Sequence, residues 1–213
     1  MRAWRVQALA VCALALVCGA CRSTDDEPPA PVAPVESVRL GSLDNSYHYG
    51  NVYVASQPDA NVLELLERRG FVSVVDLRTG DEIRVLPVAA VARRLALPYE
   101  HVPIDFAKLS DAEVDRALAL LDAGERGPML VFCDTGARAA FILAIELATR
   151  GGLEIEAALA EGRAAGMKPG APEAAARRQI ERVRARTAAA AQAISASTTS
   201  ASSSPSRHAG GSA

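Results

Sequence analysis

Between residues 51 and 149, short β-branched or apolar runs alternate with longer stretches of helical period, and this alternation leaves few folds open. Residues 51–55 read as a strand. Asp59 caps a helix to about Arg69, with Val62, Leu65 and Leu66 on one face, and Gly70 stops it. Residues 71–77 form a buried strand, followed by a helix over 85–95 and a third strand over 99–104. Ser110 and Glu113 spell a capping box that opens a helix to about Ala123, with Val114, Leu118 and Leu121 aligned. Residues 129–132 are an uninterrupted apolar strand. A strongly apolar helix over 139–149 comes next, then helices over 154–161 and 173–184. Buried strands alternating with helices predict an α/β domain, a mainly parallel central sheet flanked by helices on both faces.

Composition bounds the rest. Of 213 residues, 50% are hydrophobic, but alanine inflates that share and the core rests on a modest set of Val, Leu, Ile and Phe. The length suits one domain with tails. A net charge of −2 offers no basic field to hold nucleic acid by its phosphates. No apolar run reaches the roughly 18 residues of an ordinary transmembrane helix.

The first twenty residues read as an export signal. Arg2 and Arg5 precede a twelve-residue apolar run over 6–17. Val17-Cys18-Gly19-Ala20-Cys21 resembles a bacterial lipoprotein box, with Cys18 where Leu is usual. That resemblance implies cleavage after Ala20 and lipidation of Cys21, against the alternative of cleavage without a lipid. Arg22 in place of Asp leans toward the outer membrane, facing the periplasm or the outside. Cys12 and Cys18 leave with the signal, so Cys133 is the one thiol of the folded part and has no internal disulfide partner. Residues 21–46, rich in proline and alanine, read as a linker lifting a domain at 47–168 off a membrane. A C-terminal helix over 169–186 carries Arg177, Arg178, Arg182 and Arg184 with only Ile180 and Val183 as large apolar residues, which suits a solvated helix or a basic face for anionic head groups. Residues 187–213 are Ala, Ser, Thr and Gly with almost nothing to bury, which predicts disorder.

The chemistry gathers after the strand over 129–132. Cys133-Asp134-Thr135-Gly136-Ala137-Arg138 places a thiol at a strand's carboxyl end with a helix beginning just beyond. Ligands of open α/β sheets bind at such ends. A short loop entering a helix turns backbone N–H groups inward and cradles a tetrahedral anion. The same field, with Arg138, favours a thiolate nucleophile. Gly136 permits the tight curvature, and Arg138 can fork two oxygens of an oxyanion. The bland reading of Cys133 is a small buried hydrophobe. Three histidines and one domain cysteine show no metal-ligand cluster, so neither metal nor cofactor is expected.

Cys-x-x-Gly-x-Arg after an apolar strand is shared by cysteine-based phosphatases and rhodanese-like proteins. The segments 51–58, 70–78 and 99–104, in that order, resemble the phosphatase-like domain of β-lactamase-hydrolase-like proteins, a group allied to dual-specificity and tyrosine phosphatases. The resemblance spans roughly residues 47–152. It implies a cysteine-phosphatase-like three-layer architecture and two-step hydrolysis of a phosphate monoester. Cys133 would form a phosphocysteine, and the amides of Asp134, Thr135, Gly136, Ala137 and Arg138 would bind the oxygens with the Arg138 side chain. An Asp some thirty residues before the cysteine would be the acid. Asp105, 28 residues before it, fits best, with Asp111 as runner-up or a helix-start residue. Arg78 and Glu82 line the edge of the site or form a solvated ion pair in a loop. His101 fits a packed place in its strand. The loop departs from the family pattern: four residues rather than five separate Cys133 and Arg138, Phe132 replaces the usual His, and Ala139 replaces a hydroxyl residue. The alternatives are a rhodanese-like sulfurtransferase with a persulfide on Cys133, and a non-catalytic anion-binding module. A phosphorylated protein or small molecule is the expected partner. The sequence leaves substrate and oligomeric state open.

Overall fold

A computed structural model describes residues 34–43, 45–84 and 87–201, with side chains to residue 196. Strands β1 (Glu36–Ser37), β2 (Ser46–Tyr49), β3 (Val52–Ala55), β4 (Ser73–Asp76), β5 (Tyr99–His101) and β6 (Met129–Phe132) form one sheet in the order β1-β2-β3-β6-β4-β5. β3, β6, β4 and β5 run parallel, and β1 and β2 add antiparallel at one edge. The sheet is mixed and mostly parallel, in a single α/β domain.

The helices are α1 (Ala60–Arg68), α2 (Gly80–Ile83), α3 (Val88–Arg94), α4 (Asp111–Leu120), α5 (Ala137–Thr149), α6 (Ile155–Ala164) and α7 (Ala171–Ala201), with a 3₁₀ turn at Leu121–Glu125. Side chains alternate across each strand. Leu130 and Phe132 of β6 pack with α1 and α3, while Met129 and Val131 pack with α4 to α7. Every residue of β6 is buried, as are ten residues of α5. This strand and helix form the centre of the molecule, which explains why both read as continuous apolar runs. Both caps expected at Asp59 and Ser110 form: Asp59 accepts from the Val62 N–H at 2.8 Å, and Ser110 and Glu113 close their box.

Several boundaries differ from expectation. At the end of the linker, Glu36 and Ser37 form β1 and Ser46 starts β2, and Leu40 and Leu43 are buried against the α1 side of the sheet. A two-residue strand and the polar run Ser46-Tyr47-His48-Tyr49 carry no clear period to announce them. The helix expected over 85–95 starts at Val88 behind Pro87, and a separate short α2 precedes it. β5 ends at His101, because Pro103 has no N–H for the ladder. Val102 and Ile104 still donate to the Asp76 and Leu77 carbonyls at 2.9 and 3.1 Å.

The C-terminus departs most. α7 continues to Ala201 instead of giving way to disorder at 187. Alanine has the best intrinsic helix propensity, and residues 187–196 prolong the helix although they are exposed. Its arginines are mostly tethers. Arg182 meets Asp115 at 2.7 Å and Asp111 at 3.3 Å, and Arg186 also pairs with Asp115. Arg184 donates to the Ala148 and Leu153 carbonyls at 2.9 and 2.6 Å, which satisfies the end of α5. Arg177 pairs with Glu156 at 2.6 Å, and Arg178 is exposed. Residues 1–33, with the expected signal, Cys21 and most of the linker, lie outside the described residues, as do 202–213. Among the described residues no helix is long and apolar enough to cross a membrane.

Candidate active site

The register brings four strand ends level. Ala55 lies beside Phe132, Phe132 beside Asp76, and Asp76 beside His101. The loops that leave these ends therefore meet along one edge of the sheet, and Cys133 follows the central strand. Cys133 is fully buried. Its Sγ receives the N–H of Gly136 at 3.1 Å and that of Arg138 at 3.4 Å. These amides open the thirteen-residue α5, so the partial positive charge of a long helix start is aimed at the sulfur. Gly136 makes the turn. Its φ is +90°, and a Cβ there would come within 3.3 Å of the Ala55 and Ser56 backbone. The Asp134 and Thr135 side chains are exposed, and the Asp134 carbonyl accepts the Gln57 N–H at 3.2 Å.

Glu82 holds Arg138 in place. Its two carboxylate oxygens accept from Nη1 at 2.7 Å and Nη2 at 2.5 Å, and Nη1 also lies 3.4 Å from the Leu77 and Ile104 carbonyls. Glu82 is itself fixed by a capping box, with Oε2 accepting the Thr79 N–H at 2.7 Å and hydroxyl at 2.9 Å. The Arg138 guanidinium pulls the Glu82 carboxyl down from 4.5 to about 2, against the opposing effect of burial. Glu82 takes one N–H on each Nη, and the guanidinium also interacts with the Cys133 sulfur, so Arg138 sits where it can fork an oxyanion held over the thiol.

No family model matches the chain. Two Xylella fastidiosa proteins described as β-lactamase hydrolase-like are 29% identical over 121 residues, 55% of this chain, and the match covers 28% of their length. Among solved structures, TpbA of P. aeruginosa superposes with a TM-score of 0.59 at 24% identity, over 75% of this chain and 98% of TpbA. A variant of that protein has been solved in complex with pTyr. Tk-PTP in its active form gives a TM-score of 0.56 at 22% identity, over 67% of this chain and 98% of its own. The fold is that of the cysteine-based tyrosine and dual-specificity phosphatases.

Within this phosphatase fold the remaining candidates separate. Asp105 is half-buried, accepts the Ala107 N–H at 2.9 Å, and follows Ile104, whose carbonyl faces Arg138. It is on the Cys133 edge. Asp111 is not: it accepts from Gln179 at 2.8 Å and meets Arg182, and so belongs to the contact between α4 and α7. Glu82 is at the site, whereas Arg78 lies beneath it. The Arg78 side chain is fully buried, paired with Asp76 at 2.6 Å, donating to Gln57 Oε1 at 2.6 Å, and stacked 5.2 Å from the Phe132 ring centroid. Tyr99 donates to Asp76 at 2.8 Å, and His101 Nε2 meets the Arg78 carbonyl at 2.8 Å. Through Gln57 this buried cluster holds the turn after β3 against the cysteine loop. Gln57, Asp76 and Tyr99 lie in the segments that carry the resemblance, but the sequence assigns them no role at the site. Thr79 is not among those segments, and its signal is the capping box that it spells with Glu82.

Proposed function

We propose that this chain is an exported, cysteine-dependent phosphatase that hydrolyses a phosphate monoester through a phosphocysteine. The observation that carries the reading is the convergence of the Gly136 and Arg138 amides on Cys133 Sγ, beside a guanidinium that Glu82 holds ready. Donors placed where charge develops stabilise a transferring phosphoryl group. Sγ attacks phosphorus, and the P–O ester bond breaks as S–P forms. Asp105 gives its proton to the departing alkoxide. The ionised Asp105 then takes a proton from water, whose oxygen attacks phosphorus; S–P breaks, and inorganic phosphate leaves with the thiolate restored. The TpbA neighbour solved with pTyr supports a phosphorylated protein or small molecule as substrate. The protein is held to the outer membrane by a lipid on Cys21, a reading supported by residues 1–22 alone and tested by fatty-acid labelling of wild type and Cys21→Ser.

The test is hydrolysis of an aryl phosphate by the protein and its Cys133→Ser variant, under reducing conditions. Wild-type activity that vanadate inhibits and the variant lacks is expected; activity that survives in Cys133→Ser overturns the mechanism. The four-residue spacing from Cys133 to Arg138 favours a second reading, a sulfurtransferase. Thiosulfate-to-cyanide transfer without phosphatase activity would establish that one instead.

A further inference from the structure

Toward the opposite end of α5 from Cys133 lies a cavity of about 330 Å³, lined by Tyr49, Val52, Leu121, Gly124, Glu125 and Glu146 among others. Glu146 is the one polar member of the buried run Ala139–Ala148. It is only 9% exposed, and its Oε2 has no hydrogen-bond partner among the described residues. Oε1 lies 3.6 Å from Arg150, but that guanidinium is engaged at 2.6 Å by Asp122. A buried carboxylate oxygen without a donor is costly, and an apolar residue of similar size would carry no such penalty. The phosphatase chemistry does not use this group, which stands eight residues, about 12 Å, along the helix from Arg138.

The surroundings indicate what would complete it. Tyr49 lines the cavity from β2, Glu125 from the 3₁₀ turn and Glu146 from α5. Arg150 and Asp122 stand outside the lining and largely cancel each other as a pair at 2.6 Å, which leaves the two lining carboxylates, Glu125 and Glu146, with no cation on the lining, so the local field favours a cation. Val52, Leu121 and Gly124 supply an apolar wall. The volume suits a molecule of about one ring. We propose that this cavity is a second binding site, for a small organic cation that carries an amidinium or ammonium on an apolar body. The cationic N–H groups donate to Glu146 Oε2, and the body covers the apolar wall. Burial, with Asp122 adding to it, pushes the Glu146 carboxyl from 4.5 up to about 7, so binding strengthens as pH rises past neutrality.

The experiment titrates the full chain with benzamidinium and with neutral benzamide, followed by backbone amide NMR. Saturable binding of benzamidinium with Kd on the order of 1 mM is expected, with shifts confined to residues 49–52, 121–125 and 146–150. Benzamide binds at least about 10-fold more weakly, and Glu146→Gln weakens benzamidinium about 10-fold near pH 8. Glu125→Lys, on the exposed rim and harmless to the core, weakens it several-fold. Absence of saturation by about 20 mM, equal binding of benzamide, unchanged binding in both variants, or shifts centred on residues 133–138 would each overturn the assignment.

Discussion

Replacing Glu82 by Gln removes the anion that holds Arg138 while keeping the side chain's size. The drop of its carboxyl from 4.5 to about 2 corresponds to roughly 3 kcal/mol between its two charge states. Thr79 supplies part of that, and the Glu82 side chain is 30% exposed, so solvent screening leaves Arg138 a share of about 1–2 kcal/mol. If that energy orients the guanidinium for the phosphoryl oxygens, Glu82→Gln loses about 5–30-fold in kcat/KM. A folded-state value below the unfolded one stabilises above about 4.5 and fades as pH falls toward 2. Glu82 therefore stays ionised throughout the working range. The loss is uniform in pH from about 5 to 8, and the acid limb of the wild-type profile does not move. The assay is a pH profile of aryl phosphate hydrolysis for wild type, Glu82→Gln, Arg138→Lys and the double variant. Once Arg138 is Lys, removing Glu82 costs little more. Unchanged kcat/KM in Glu82→Gln, a displaced acid limb, or additive losses in the double variant would refute the positioning role.

Asp105→Asn lowers kcat by about 100-fold on alkyl phosphates but little on aryl phosphates with good leaving groups, because only the former need a proton; equal losses on both would remove it as the acid. Arg78→Met leaves the Asp76 carboxylate buried and unpaired, which costs roughly 3–5 kcal/mol and lowers Tm by about 10 °C; a calorimetric change under about 1 kcal/mol would contradict the buried pair. Glu146 has a folded-state value raised to about 7, so its ionisation costs stability as pH climbs from about 4.5 to 7. Urea unfolding of Glu146→Gln therefore shows a gain of up to roughly 3 kcal/mol near pH 8 that vanishes near pH 4.

What the sequence disclosed follows the range of the interactions involved. The β6 strand, the apolar α5 and the caps at Asp59 and Ser110 are local and strong, and their residues name them directly. The position of Cys133 at a helix start likewise follows from a strand, a glycine and an arginine in order. Arg78 could not be placed this way. Its partner Asp76 is two residues away, but its burial depends on Tyr99, Gln57 and Phe132 from three other segments. The ion pair between Glu82 and Arg138 spans 56 residues. The linker's end was missed because β1 and β2 are short and gain order only by adding to the edge of β3. α7 outran expectation because alanine prolongs a helix that tertiary contacts to α5 and α6 have already started.

The most direct test of the central claim is rapid-quench mass spectrometry of the protein mixed with an aryl phosphate. With an alkaline quench, which preserves an S–P bond, one phosphoryl group mapped to the peptide bearing Cys133 is expected, formed before steady state and absent in Cys133→Ser. Turnover with no phosphoryl group on Cys133 at any time, or a phosphoryl group that persists in Cys133→Ser, would contradict it.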